Sequence, residues 1–130
     1  MYQIRRRDIL FPELSFAITG ALFDVYKQLG AGHLEKYYQK AVAISLRKRE
    51  IKFVEQQCVP LQFDEINVGR YYVDFLIDDK IVLELKRGMF IPVNVLHQAK
   101  KYLIAMNLKL ALIGVFTNRG VIVKRILNLY

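Results

Sequence analysis

The chain has 130 residues, 54% apolar and 25% charged, which is enough for one compact domain with its own core and too few for two, so residues 1–130 are expected to form a single domain. Twenty Lys and Arg against 12 Asp and Glu leave a net charge of +8, which fits a polyanionic partner such as nucleic acid and equally a well-solvated basic surface. The longest apolar run, residues 110–116, is far short of the roughly 18 that cross a bilayer, and the basic N-terminus leads into charged and turn-forming residues rather than an apolar signal region. A cytoplasmic protein without membrane contact is the expectation. One cysteine, Cys58, excludes an internal disulfide, and with two scattered histidines it excludes a Cys/His zinc site.

In chain order, Leu14, Ile18, Ala21, Leu22, Val25 and Leu29 recur at helical spacing and predict a helix over residues 12–29, stopped by Gly30. Leu34, Tyr38, Ala41 and Ser45 predict a second over about 33–49. The period then changes. Residues 51–63 read as a strand bent at Pro60, 67–69 as a turn, 70–77 as a strand, 78–80 as a turn and 81–86 as a third strand. After a loop with Pro92, the spacing of Val95, Leu96, Ala99, Tyr102, Leu103 and Met106 predicts a helix. Residues 109–116 read as a buried strand, 117–120 as a turn and 121–127 as a last strand. The order ααβββαββ predicts an α/β (α+β) fold, a mixed sheet flanked by helices.

The third strand carries chemistry where apolar residues would bury more easily. Glu84 and Lys86, two apart, share a face with Val82, while Ile81, Leu83 and Leu85 take the other. A two-residue loop at Asp78–Asp79 would place Asp74 opposite Leu83, on the wrong face; a three-residue loop through Lys80 would place it opposite Glu84. Opposed carboxylates repel, and burying them unpaired costs several kcal/mol or raises a pKa. A divalent cation removes the conflict, and an all-oxygen donor set suits Mg²⁺ or Mn²⁺ rather than zinc. Alternatively, Glu84 and Lys86 form an edge-strand ion pair with Asp74 solvated.

Asp74, then nine residues, then Glu84-x-Lys86 resembles the PD-(D/E)XK nuclease superfamily. Residues 32–38, GHLEKYY, contain G-x-x-E-x-x-Y and are similar to the signature of the small prokaryotic GxxExxY proteins of that superfamily. QAKKY, residues 98–102, resembles the Q-x-x-x-Y motif of RecB-like members. The resemblance covers nearly the whole chain and implies a restriction-endonuclease-like core and Mg²⁺- or Mn²⁺-dependent hydrolysis of DNA. It implies that Asp74 and Glu84 hold the metal, with the Leu85 backbone carbonyl as a further ligand and Glu35 reaching it directly or through water. Lys86 would position the attacking water, and Gln98 would orient the lysine, the water or the substrate backbone.

Tyr38, Tyr102, Arg47, Lys48, Lys100 and Lys101 are candidate nucleic-acid contacts, with Arg5 to Arg7, Arg49, Lys124 and Arg125 as further cations; each alone fits solvated surface as well. His33 reads as a surface histidine. His97, next to Gln98 on its helix, is expected to point away from it. Apolar Phe90, Ile91 and Val93 in a loop mark a surface for a partner. Two other readings stand beside the nuclease: a catalytically silent nucleic-acid-binding module, and a partner-dependent subunit. Within the enzyme reading, the resemblance of Q-x-x-x-Y implies RecB-like processing of DNA ends or single strands, whereas a small basic chain of this kind also resembles archaeal Holliday junction resolvases, which act as homodimers.

Overall fold

A computed structural model describes residues 10–129. The elements are α1 (Pro12–Leu29), α2 (Glu35–Lys48), β1 (Phe53–Phe63), β2 (Ile66–Ile77), β3 (Ile81–Arg87), α3 (Val93–Met106), β4 (Leu110–Thr117) and β5 (Gly120–Leu127). This is the ααβββαββ order that the periodicities predict. α1 opens with Pro12 and Glu13 in its first turn and closes with Lys27 before Gly30, whose φ of 71° releases the chain. α3 ends on Asn107 in the left-handed region. Arg5 to Arg7 lie outside the described residues.

The strands form one sheet in the order β1-β2-β3-β4-β5. All pairs are antiparallel except β3 and β4, whose parallel pairing requires a crossover, and α3 supplies it. One face packs under α1 and α2 through Ile18, Leu22, Tyr38, Leu46, Phe75, Leu83, Leu85 and Leu112. The other packs under α3 through Val82, Ala99, Tyr102, Leu103, Ala111, Ile113 and Val115. All eight residues of β4 are buried, as expected for a strand covered on both faces.

One turn differs from expectation. β1 and β2 are joined at Asp64 and Glu65, with φ of 49° and 64°, and Phe63 pairs with Ile66. Two central residues of positive φ make the tight hairpin turn that matches strand twist. Residues 67–69 sit inside β2 beside a register shift at Leu61 and Gln62, where the Asn67 side chain accepts from Gly69 N–H at 3.3 Å. Pro60 lies within β1, an edge strand, where a missing N–H is tolerated.

Gly114 marks the closest approach of helix to sheet. It lies on the α1 side between Leu112 and Phe116, and a Cβ there would stand 2.8 Å from Leu22 Cδ1. Gly114→Val should therefore lower stability by about 1–3 kcal/mol, and Leu22→Ala in the same chain should recover part of that loss. Urea midpoints of the two single variants and the double variant check this; full additivity would show that the two positions do not share space.

Candidate active site

Asp78 and Asp79 have φ of 49° and 57°, and Lys80 N–H closes the turn onto the Ile77 carbonyl at 2.9 Å. Aspartate tolerates the left-handed region because its short side chain bonds locally. Pairing nevertheless resumes at Ile77 with Ile81, so Lys80 is an extra residue on the β3 side. The register of the three-residue loop results: Leu76 faces Val82, Phe75 faces Leu83, and the next positions along are Asp74 and Glu84.

At that point the strands exchange carboxylate bonds in place of ladder bonds. Asp74 N–H donates to Glu84 Oε1 at 3.3 Å, and Leu85 N–H donates to Asp74 Oδ2 at 2.8 Å. β2 also bends here: Val73 packs on the α3 side, Phe75 and Ile77 on the other, so strict alternation breaks between them. On β1, Glu55 pairs with Phe75 and Gln57 with Val73, while Gln56 between them has φ 52° and drops out of the register. The bend turns Asp74 toward Glu84.

Glu84 is 7% exposed, the only charged side chain buried among the described residues. Its carboxyl is pushed up to about 8, first by burial, then by the charge of Asp74 and a hydrogen bond with the Asp74 carboxyl; the Asp74 backbone N–H and the charge of Lys86 oppose the rise. Tyr102, 6% exposed, is pushed up to about 12, mainly by burial and then by the charges of Glu84, Tyr71 and Asp74. Tyr102 thus keeps its proton and lies within reach of the pair's field.

The donor set fits a divalent cation. Two carboxylates crowd one site, and the Leu85 carbonyl, on the same side of β3 as its N–H, lies where the β2–β3 ladder has ended. Lys86, half-buried, shares the face of Glu84 and Val82. Among the described residues no third Asp, Glu, His or Cys completes a ligand cluster around the pair. Glu35 is exposed at the start of α2, and among the described residues no ion pair joins it to Lys86. The α1–α2 connection just before Glu35 is tied to the end of β3 by Arg87, whose Nη1 donates to the His33 carbonyl at 3.2 Å.

Gln98, Lys101 and Tyr102 border one groove, together with Tyr71, Asn94 and His97. Tyr71 and Asn94 are not among the residues that the sequence singles out. His97 was expected to turn away from Gln98, yet neighbours on a helix are only about 100° apart and both can edge one groove. The readable signal was the polar spacing Asn94, His97, Gln98, Lys101, at i, i+3, i+4 and i+7.

Other expected contacts lie elsewhere. Tyr38 is fully buried, stacked on Phe116 at 4.0 Å, and its hydroxyl donates to the Gly30 carbonyl at 2.6 Å and accepts from His33 N–H, so it has no surface for a nucleic acid. The His33 ring is engaged too, with Nε2 at 2.8 Å from the Leu29 carbonyl. Arg47 and Lys48 stand at the far end of α2, about 18 Å along the axis from Glu35, with Arg47 against Phe53 and Glu55. Arg49 pairs with Asp24 at 2.7 Å. Lys100 Nζ donates to the Leu127 carbonyl at 2.5 Å and Arg125 Nη2 to that of Leu10 at 3.2 Å.

Because the folded Glu84 carboxyl holds its proton more tightly than an unfolded one near 4.5, its contribution to stability is full below about pH 4.5 and is lost as pH rises through about 8. Glu84→Gln cannot ionise. In chelator its melting temperature should match the parent's near pH 4.5 and exceed it at pH 8.5, by on the order of 2 kcal/mol in stability. Adding Mn²⁺ should raise the parent and leave Glu84→Gln behind. Thermal melts across pH check both; a constant difference would show that Glu84 does not titrate in this range.

No curated protein and no solved structure gives a significant match to the chain. A family profile described as the PD-(D/E)XK nuclease superfamily matches residues 12–126, which takes in every element from α1 into β5. Members of that superfamily typically use divalent metal ions. The five-stranded mixed sheet flanked by helices is of the restriction-endonuclease-like kind, and it carries an aspartate and a Glu-x-Lys on neighbouring strands. With that match and this geometry, the chain belongs to the PD-(D/E)XK nuclease superfamily.

Proposed function

We propose that the protein is a Mg²⁺- or Mn²⁺-dependent deoxyribonuclease in which Asp74 and Glu84 hold the metal. The observation that carries this reading is the facing pair of buried Glu84 and half-buried Asp74 at the point where β2 and β3 part. Such a pair is costly for a scaffold and useful for a cation. DNA as substrate rests on the net charge of +8 and on the superfamily.

Asp74, Glu84 and the Leu85 carbonyl are the ligands, with Glu35 acting through water. When bound, the ion supplies Lewis-acid stabilisation of charge on the phosphate oxygens. Lys86 holds the attacking water by hydrogen bond and offsets negative charge as water adds to phosphorus and gives its proton to solvent, while the bond to the leaving sugar oxygen breaks and that oxygen takes a proton from solvent. Gln98 orients Lys86 or the backbone phosphate, and Tyr102 keeps its proton and donates to an oxygen in the site. The G-x-x-E-x-x-Y stretch supports membership among the GxxExxY proteins and divides its labour. Gly32, at φ 89°, and buried Tyr38 shape the α1–α2 connection that presents Glu35.

Exposure of Met89, Phe90 and Val93, just after Lys86, favours a second reading in which a homodimer acts on branched DNA, as in junction resolvases.

Labelled linear, single-stranded and branched DNA, incubated with Mg²⁺ or Mn²⁺, tests both readings. The parent should cut and stop with chelator. Asp74→Asn should abolish cleavage, and Lys86→Ala should slow it by about 100-fold or more, with both variants folded by circular dichroism. Preference for four-way junctions, with a dimer by light scattering, would select the second reading. Binding without cleavage under either metal would leave a silent or partner-dependent module.

A further inference from the structure

The groove between α3 and β2 is not accounted for by metal binding. Its helical wall is the exposed polar row Asn94, His97, Gln98 and Lys101, and its other wall is Tyr71. Tyr102 forms the floor, 6% exposed, whereas Tyr71 keeps 43% of its surface open; their rings lie 5.8 Å apart at 54°. Tyr102 packs in one cluster with Val82, whose face of β3 Glu84 shares, so the groove opens on the same side of the sheet as Glu84.

The hairpin makes the second wall stand free. β2 pairs with β3 only from Phe75 to Ile77, while its preceding residues pair with β1 alone. Tyr71 therefore projects from a two-stranded arm that rises past the sheet on the α3 side. The cleft measures about 300 Å³, at the small end of ligand sites. That volume takes one planar heterocycle and cannot take a duplex, which in any case hides its base faces inside the stack.

We infer that this groove seats one unpaired nucleotide beside the scissile phosphate, its base against Tyr71 and its phosphate on Lys101. The substrate is then a single strand or a frayed end rather than intact duplex. Stacking on an aromatic wall is tolerant of sequence, because every base has a π-face. The Asn94 and Gln98 amides and the His97 ring supply donors and acceptors for the base edge. This assignment rests on the nuclease reading for the phosphate it flanks, but it concerns binding and is measured without turnover.

The test is fluorescence anisotropy of labelled oligo-dT, and of the same strand annealed in a blunt duplex, in chelator. The parent should prefer the single strand. Tyr71→Ala should weaken oligo-dT binding about 10-fold and change duplex binding less than about 2-fold, and Tyr71→Phe should restore the parent value. A strand carrying one 2-aminopurine should be quenched on binding by the parent and by Tyr71→Phe, not by Tyr71→Ala. Lys101→Ala, at an exposed position, should weaken single-strand binding and lower its salt slope by about one; it keeps the assignment testable if Tyr71→Ala folds poorly. Equal affinity of the parent for duplex and single strand, or unchanged affinity in Tyr71→Ala or Lys101→Ala, overturns it. Tyr71-dependent binding with no cleavage under any metal would sink the nuclease reading and keep the groove. Metal-dependent cleavage of intact duplex that ignores Tyr71→Ala would do the reverse.

Discussion

Everything about the site depends on two carboxylates taking over from a β-ladder. Where Asp74 and Glu84 face one another, the backbone N–H of Asp74 and of Leu85 find side-chain oxygens in place of carbonyls, and the strands part without orphaning those donors. The arrangement places like charges in a site that is 7% exposed on the Glu84 side, so the energy gained by satisfying the N–H groups is set against repulsion and desolvation. A scaffold could satisfy the same N–H groups with ordinary pairing at lower cost. The pair is therefore a costly element of the scaffold, and the rest of the structure is what holds it.

The holding is done by register and by burial. Lys80, the extra residue after the Asp78–Asp79 turn, decides that Glu84 rather than Leu83 follows in line with Asp74; a slip of one residue would exchange a carboxylate for a leucine. On the other side, β3 pairs in parallel with β4 from Ile81 to Arg87, and β4 is covered by both helical layers. Glu84 and Lys86 thus project from a strand fixed along its length, which positions side chains more firmly than a loop would. Asp74 has a softer seat, at a bend where Gln56 has left the ladder.

Much of this was legible because it is periodic. The helices, the strands β3 to β5 and the face shared by Glu84 and Lys86 follow from spacing alone. What periodicity missed are places where one residue breaks the period. Asn67-Val68-Gly69 has the better turn composition, yet Asp64 and Glu65 accept positive φ and take the turn. Asp74 follows no simple alternation, since Val73 and Phe75 pack on opposite faces. Tyr38 shows the limit of motif reading: the signature tyrosine is there, but its hydroxyl is spent on Gly30 and His33 inside the α1–α2 connection.

Charge was the least legible quantity, because a net value says nothing about where cations end up. Arg49 faces Asp24, Lys52 faces Asp79, Lys80 faces Asp78 and Arg47 approaches Glu55. Arg87, Lys100 and Arg125 each donate to a backbone carbonyl. Exposed ion pairs of this sort add little stability, but they keep long side chains at work on their own fold. Among the described residues, none of these pairs or bonds involves Lys86 or Lys101. The excess of +8 sets the long-range field that draws a polyanion in and falls off with salt. Contact is a separate matter, decided by where individual cations stand, such as half-buried Lys86 on β3 and exposed Lys101 at the groove, and not by the total.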